Sequence, residues 1–250
     1  MSESVGTASG APVGAKGLAI VPLLFSSPAE AFRRLGADPQ WLGQFLLFLA
    51  LALAATWIRM PQDLAFQYEA TQAAMDRMGV PEEDREEALA RIPEPGEATT
   101  GQALLHVLPV TATLAGLGFL GALVLWVLAK LFGPQPGFRK ALSAYWTANL
   151  AGGFGYLIQA FVARASDTVE VSLGPAALVP GLEWGSLPHL ILEVFGLFSL
   201  VTLWFLVLAA RHVFGAAGGT GWAIGGTFWG ITSLVGLAVS AFGSWVSGRL

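Results

Sequence analysis

"WLGQFLLFLALALAATWIRM", residues 41–60, has no acidic residue, and its one basic residue, Arg59, falls at the end. Twenty residues of α-helix rise about 30 Å, the thickness of a bilayer's hydrocarbon core. Trp41 and Trp57 bracket the run, roughly 24 Å apart along a helix, as an interfacial aromatic belt does. The stretch reads as a membrane span. Four more apolar runs follow, at about 104–130, 141–162, 187–210 and 222–246, the first of them with a kink expected at Pro109. Strands alternating apolar and polar residues are absent, which argues against a membrane barrel.

Composition agrees. Only 12% of the 250 residues are charged, about half the share in soluble domains, and mean hydropathy is +0.63. One soluble core could not hide so much apolar surface. With no cysteine, disulfides, thiolate metal sites and thiol catalysis are excluded. Residues 1–22, rich at first in Gly, Ser and Ala, are expected to form a disordered tail ahead of a membrane domain over 23–250. The apolar run Gly17 to Phe25 is short, is broken by Pro22 and has only Lys16 before it. A cleaved signal is not expected.

Ahead of the first span, Ser27-Pro28-Ala29-Glu30 has the form of a capping box with proline at the first helical position. Phe32 and Leu35 share one face of the helix that follows; Glu30, Arg33 and Arg34 share the other. Gly36 is expected to end it and Asp38-Pro39 to begin the next helix. The favoured reading is an interfacial helix, with Phe32 and Leu35 in the headgroup region and Arg33 and Arg34 near anionic lipid. The alternative is a connector whose apolar face packs on protein.

If five spans alternate, Arg33, Arg34, Lys130, Arg139, Lys140 and Arg211 fall on one side; Arg59, Arg164 and Arg249 fall on the other. The positive-inside rule then puts the N-terminus in the cytoplasm and the C-terminus outside. The loop over residues 61–101 carries ten carboxylates against three arginines and falls outside. It is expected to hold two short helices, starting at Pro61 and Pro81 and ending near Gly79 and Pro93. The acidic run Glu82 to Glu87 reads first as a solvated face and second as a cation or basic-partner site.

No zinc-protease, phosphate-loop or nucleophile-elbow motif is present. Gly116 to Gly121 spells G-x-G-x-x-G, but a dinucleotide site needs that motif in a turn between strand and helix. Here it sits inside a span, where glycines let helices approach closely. Gly221, Gly225, Gly226 and Gly230 are expected to do the same, within the chain rather than in a homodimer. Gly152 to Gly155 can also make a broken helix beside a cavity.

Polar residues inside spans are the best signal of a site. Glu193 lies about two turns into the fourth span, with His189 one turn earlier on the same face. A carboxylate there needs a partner, a proton or water. Gln159, His106 and Arg59 fall toward the same outer side and can converge on it, although His106 and Arg59 read better as groups that reach the interface. Glu193, His189 and Gln159 are the candidate binding residues. His189-x-x-x-Glu193 has metal-ligand spacing, but two ligands are too few for a metal site.

Three stretches carry a family resemblance: "LLFSSPAEAFRRLGADPQW" (23–41), "LAKLFGPQPGFRKALSAYW" (128–146) and "LFSLVTLWFLVLAARHVFG" (197–215). In order and spacing the chain resembles the Yip domain family, polytopic proteins related to eukaryotic Ypt/Rab-interacting membrane proteins, and above all its bacterial branch. The resemblance implies five spans with a cytoplasmic N-terminus, in the inner membrane of a bacterium. The D-L-Y-G-P-like motif of eukaryotic members is missing, and Tyr145 is followed by no proline before Pro175, so GTPase binding is not carried over. The expected class is an all-α integral membrane protein of five transmembrane helices, with a short amphipathic pre-membrane helix and a helical extracytoplasmic loop. Its expected role is a non-enzymatic organiser or accessory subunit that needs no cofactor. Its expected partners are membrane lipid and other membrane proteins, a second copy among the possibilities, and not nucleic acid. The alternative is a permease or lipid-moving protein with a polar cavity around Glu193.

Overall fold

The computed structural model describes residues 18–89 and 100–246. Pro93, Arg249 and the side chain of His106 lie outside the described residues, and so does the tail over 1–17. The tail expected through residue 22 ends sooner. Helix α1 (Val21–Ser26) is formed, and Ile20 and Leu24 are buried in the core.

Helix α2 (Pro28–Ala37) is amphipathic as its pattern requires. Its apolar face is covered by protein, however: Ala31, Phe32 and Leu35 are fully buried, and the Phe32 ring meets that of Phe205 edge-on at 5.7 Å. Phe32 and Leu35 therefore do not present the lipid-facing surface expected of an interfacial helix. An amphipathic pattern calls for an apolar cover, and here the bundle supplies it. The Ser27 hydroxyl makes no cap; its carbonyl accepts from the Glu30 and Ala31 amides at 3.0 and 3.1 Å. The Glu30 carboxylate instead takes Arg33 and Arg34 at 2.7 and 2.9 Å. The guanidiniums of Arg34 and Arg33 hold its carboxyl below the usual carboxylate range. Gly36 does not end the helix. It lies inside it, where a Cβ would stand 2.4 Å from the His212 carbonyl oxygen.

Helix α3 (Leu42–Met78) runs unbroken through Pro61 for 37 residues, so the helix expected to start at Pro61 is the continuation of the first span. Proline removes one amide from the ladder. Arg59 and Asp63 straddle it with an ion pair at 2.8 Å, and good helix formers follow. Gly79, in the left-handed conformation, ends the helix, and α4 (Glu82–Leu89) begins just after Pro81.

Helices α5 (Thr100–Leu131) and α6 (Phe138–Ser166) are joined by the Gly/Pro loop. The fourth apolar run is two helices, α7 (Leu187–Val194) and α8 (Leu197–His212), bent by 41° at Phe195-Gly196. A broken helix, one option for Gly152 to Gly155, is found in the next run instead, and α6 is continuous. Helix α9 (Gly218–Val246) completes the chain. No strand occurs among the described residues.

Helix α6 is the hub, packed on α3, α5 and α8, with α9 against α8 and α2 laid across α8. Trp146 is fully buried at its centre among Phe45, Phe48, Phe119 and Tyr145, with ring centroids 4.9 to 5.7 Å away. The glycines of α5 make room: a Cβ on Gly118 would lie 2.0 Å from the Trp146 ring, and one on Gly121 2.6 Å from that of Tyr145. By length and apolar character, the stretches 42–78, 107–131 and 218–243 can cross a membrane, and the bent pair α7–α8 adds a fourth crossing if it counts as one. Helix α6 is not in that set. It carries Asn149 and Gln159, and much of its surface faces protein.

Candidate functional site

The break in the fourth apolar run has a local cause. The Phe195 and Gly196 amides turn back to the carbonyls of Leu192 and Glu193 at 3.1 and 3.0 Å, and Gly196 then opens α8. The loop after α6 presses on that point: a Cβ on Gly174 would come 2.9 Å from the Gly196 Cα. Glycine at 174 leaves the room that this close approach of backbones needs.

The same loop brings a partner to Glu193. The Ser172 hydroxyl donates to Glu193 Oε1 and accepts from the Gly174 amide at 3.2 Å. On the other side, the Gln159 amide donates to the Val171 carbonyl at 2.6 Å. Below it, Arg59 reaches the Val169 carbonyl at 3.5 Å and Gln62 reaches Asp167 at 3.2 Å. Four side chains from three helices pin residues 167–172 over one end of the bundle.

A cavity of about 280 Å³ lies beneath, walled by Tyr156, Gln159, Leu173, Glu193, Gly196 and Ser199 among others. Glu193 and Gln159 thus share one cavity. His189 does not line it. It is buried, with its ring 4.3 Å from that of Trp184 and its Nδ1 accepting from the Gly185 amide at 3.4 Å. Among the described residues no three His, Cys, Asp or Glu side chains gather as metal ligands. A second cavity of about 440 Å³, between residues 61–69 of α3 and the C-terminal end of α6, mixes Glu69, Asp167 and Glu170 with Arg164. It offers no single sign of charge to a ligand.

Sequence reasoning missed Ser172, Tyr156 and Ser199. Nothing in the pattern around them separates them from ordinary loop and span residues. Of the residues expected at the interface, Arg33 and Arg34 are exposed, Trp57 is about half exposed, and Trp41 packs on Phe45 and Phe119.

Glu193→Leu is expected to strand the Ser172 hydroxyl. Stability should fall by about 0.5–1.5 kcal/mol, the range for one lost hydrogen bond, because the contact is only half-buried and Ser172 keeps the Gly174 amide. Glu193→Gln keeps an acceptor and should cost less. Thermal melting of the purified protein in mild detergent checks the order; equal melting of both variants with the parent would refute the contact's role.

Several long apolar helices around a buried hub define an α-helical multi-pass membrane protein. The chain belongs to the Yip1 domain family, whose model matches residues 23–240. No curated protein and no solved structure matches it.

Proposed function

We propose that this chain is a non-enzymatic organiser or accessory subunit that binds protein partners or lipids. It would sit in the cytoplasmic membrane of a bacterium, with its N-terminus in the cytoplasm and its C-terminus outside. The observation that carries this reading is the filled interior. Between the Glu193 cavity and the basic end of the bundle, Leu150, Phe205, Leu206, Ile224 and Phe228 form one buried core, and the rings around Trp146 close the α3–α5 side. A permeation path would have to open this packing, whereas a binding protein needs no such opening. The family resemblance and the lack of a catalytic motif agree.

In this reading α6 is the fifth span. Its neighbours cover it, so it needs no wholly apolar exterior. A topology reporter after Lys140 should then read cytoplasmic, and one near Glu83 extracytoplasmic; both on one side would sink the five-span arrangement. The role itself is tested by crosslinking in native membranes. Discrete, reproducible protein or lipid adducts support it.

The second reading is a lipid-moving protein or permease, and the cavity at Glu193 is what favours it. Reconstituted protein that equilibrates a lipid or solute across vesicles would establish this reading in place of the first.

A further inference from the structure

The polar cavity has an apolar neighbour. A groove of about 250 Å³ lies between α7 and α9, walled by Ile191, Val194, Phe195, Trp229, Leu234 and Leu237 among others. One hydrogen bond joins the two walls: the Trp229 indole N–H in the groove donates to Ser199 Oγ in the polar cavity at 2.9 Å. A cavity with one carboxylate in its wall, beside a groove lined mainly by apolar side chains, matches the two halves of an amphiphile.

Depth agrees with this. Gly196 stands 16 residues before His212, about 24 Å along α8, in a hydrocarbon core about 30 Å thick. His212 belongs to the basic end of the bundle, with Arg211 beside it and Gly36 in contact with its carbonyl. The cavity therefore lies near the boundary of the opposite leaflet, where lipid headgroups are.

We propose that this pair of sites binds one phospholipid with a primary-amine headgroup, its ammonium on Glu193 and an acyl chain in the α7–α9 groove. The proposal rests on the lipid-binding part of the reading above. Glu193 Oε1 already takes the Ser172 hydroxyl, which fixes the carboxylate and leaves its second oxygen for an ammonium donor. A charge-assisted hydrogen bond of this kind is among the stronger polar contacts. The headgroup's phosphate has a counterpart in the first-turn amides of α8, whose N-cap is Gly196 with no side chain to satisfy them. An anionic headgroup without an amine would place its charge beside Glu193 and be disfavoured.

The test uses the full chain, purified in detergent and titrated by native mass spectrometry. The probes are phosphatidylethanolamine, phosphatidylcholine and phosphatidylglycerol with matched acyl chains. The parent should bind phosphatidylethanolamine about tenfold more tightly than either of the others, the order expected for one charge-assisted hydrogen bond. Phosphatidylcholine is the control that needs no mutation, since its quaternary ammonium has no proton to donate. Glu193→Gln should erase the preference. Leu237→Trp fills the groove from a partly buried position in its wall; it should weaken all three lipids and keep their order. Equal binding of the three lipids by the parent, or a preference that survives Glu193→Gln, overturns the proposal. Displacement by free phosphoethanolamine at the lipid's own concentration also overturns it, because the ligand is then a soluble amine. Capture of protein partners by crosslinking is independent of every one of these results, so the two ideas fail separately.

Discussion

Gly36→Ala is expected to pull α2 off the bundle. The added methyl would lie 2.4 Å from the His212 carbonyl oxygen and 3.3 Å from the Val213 Cα. Both are main-chain atoms at the end of α8, so no flexible side chain can yield, and one helix must move. Overpacking of this kind costs about 1–3 kcal/mol. Helix propensity alone predicts the reverse, a gain of up to about 1 kcal/mol for Gly→Ala inside a helix, so the sign decides which effect wins. The absence of native cysteine makes the measurement clean. A thiol introduced as Ala31→Cys, at a fully buried position, should resist a water-soluble maleimide in the parent and react readily once Gly36→Ala is added. Unchanged labelling together with a higher melting temperature would show that the close approach does not hold α2 in place.

Trp146→Ala should be the most damaging single change. The ring is fully buried and touches four other aromatic rings. Truncating so large a buried side chain costs about 3–5 kcal/mol. Its indole N–H has no hydrogen-bond partner among the described residues, so Trp146→Phe removes volume and no polar contact and should be much milder. Gly118→Ala should also destabilise, because its methyl would overlap the Trp146 ring. Joined to Trp146→Phe it should cost less than the two changes add up to, since the smaller ring leaves room. Chemical unfolding in mixed micelles reads all four variants. A loss below about 1 kcal/mol for Trp146→Ala would mean that the aromatic cluster is not the centre of the fold.

The membrane character, the helix-packing glycines of the second apolar run and the start of α4 at Pro81 were all legible in the sequence, because each rests on a strong local rule. What escaped was decided by neighbours. An amphipathic stripe such as Phe32–Leu35 shows that a cover is required, but protein and lipid satisfy it equally well. Pro61 is a helix-start signal on its own; the apolar run before it and the helix formers after it carry α3 through it, and the Arg59–Asp63 pair adds only a little. In the fourth apolar run Glu193 and Gly196 are both compatible with a continuous helix, and the contact of Gly174 with the break comes from a loop distant in sequence. At the candidate site, Glu193 and Gln159 stood out because polar groups in apolar runs are rare. Ser172, which holds Glu193, is an ordinary serine until the loop is folded.

Helix α3 is longer than any bilayer requires. Its 37 residues reach about 55 Å, some 25 Å beyond the hydrocarbon core. The projecting part is held at its base by Arg59 and Gln62 and ends at the acidic helix α4. It works as a rigid mast with a charged tip. A rotation of the membrane part by about 10° would swing that tip sideways by about 4 Å. A change in bilayer thickness or helix tilt would thereby become a displacement of negative charge in the water beyond the membrane.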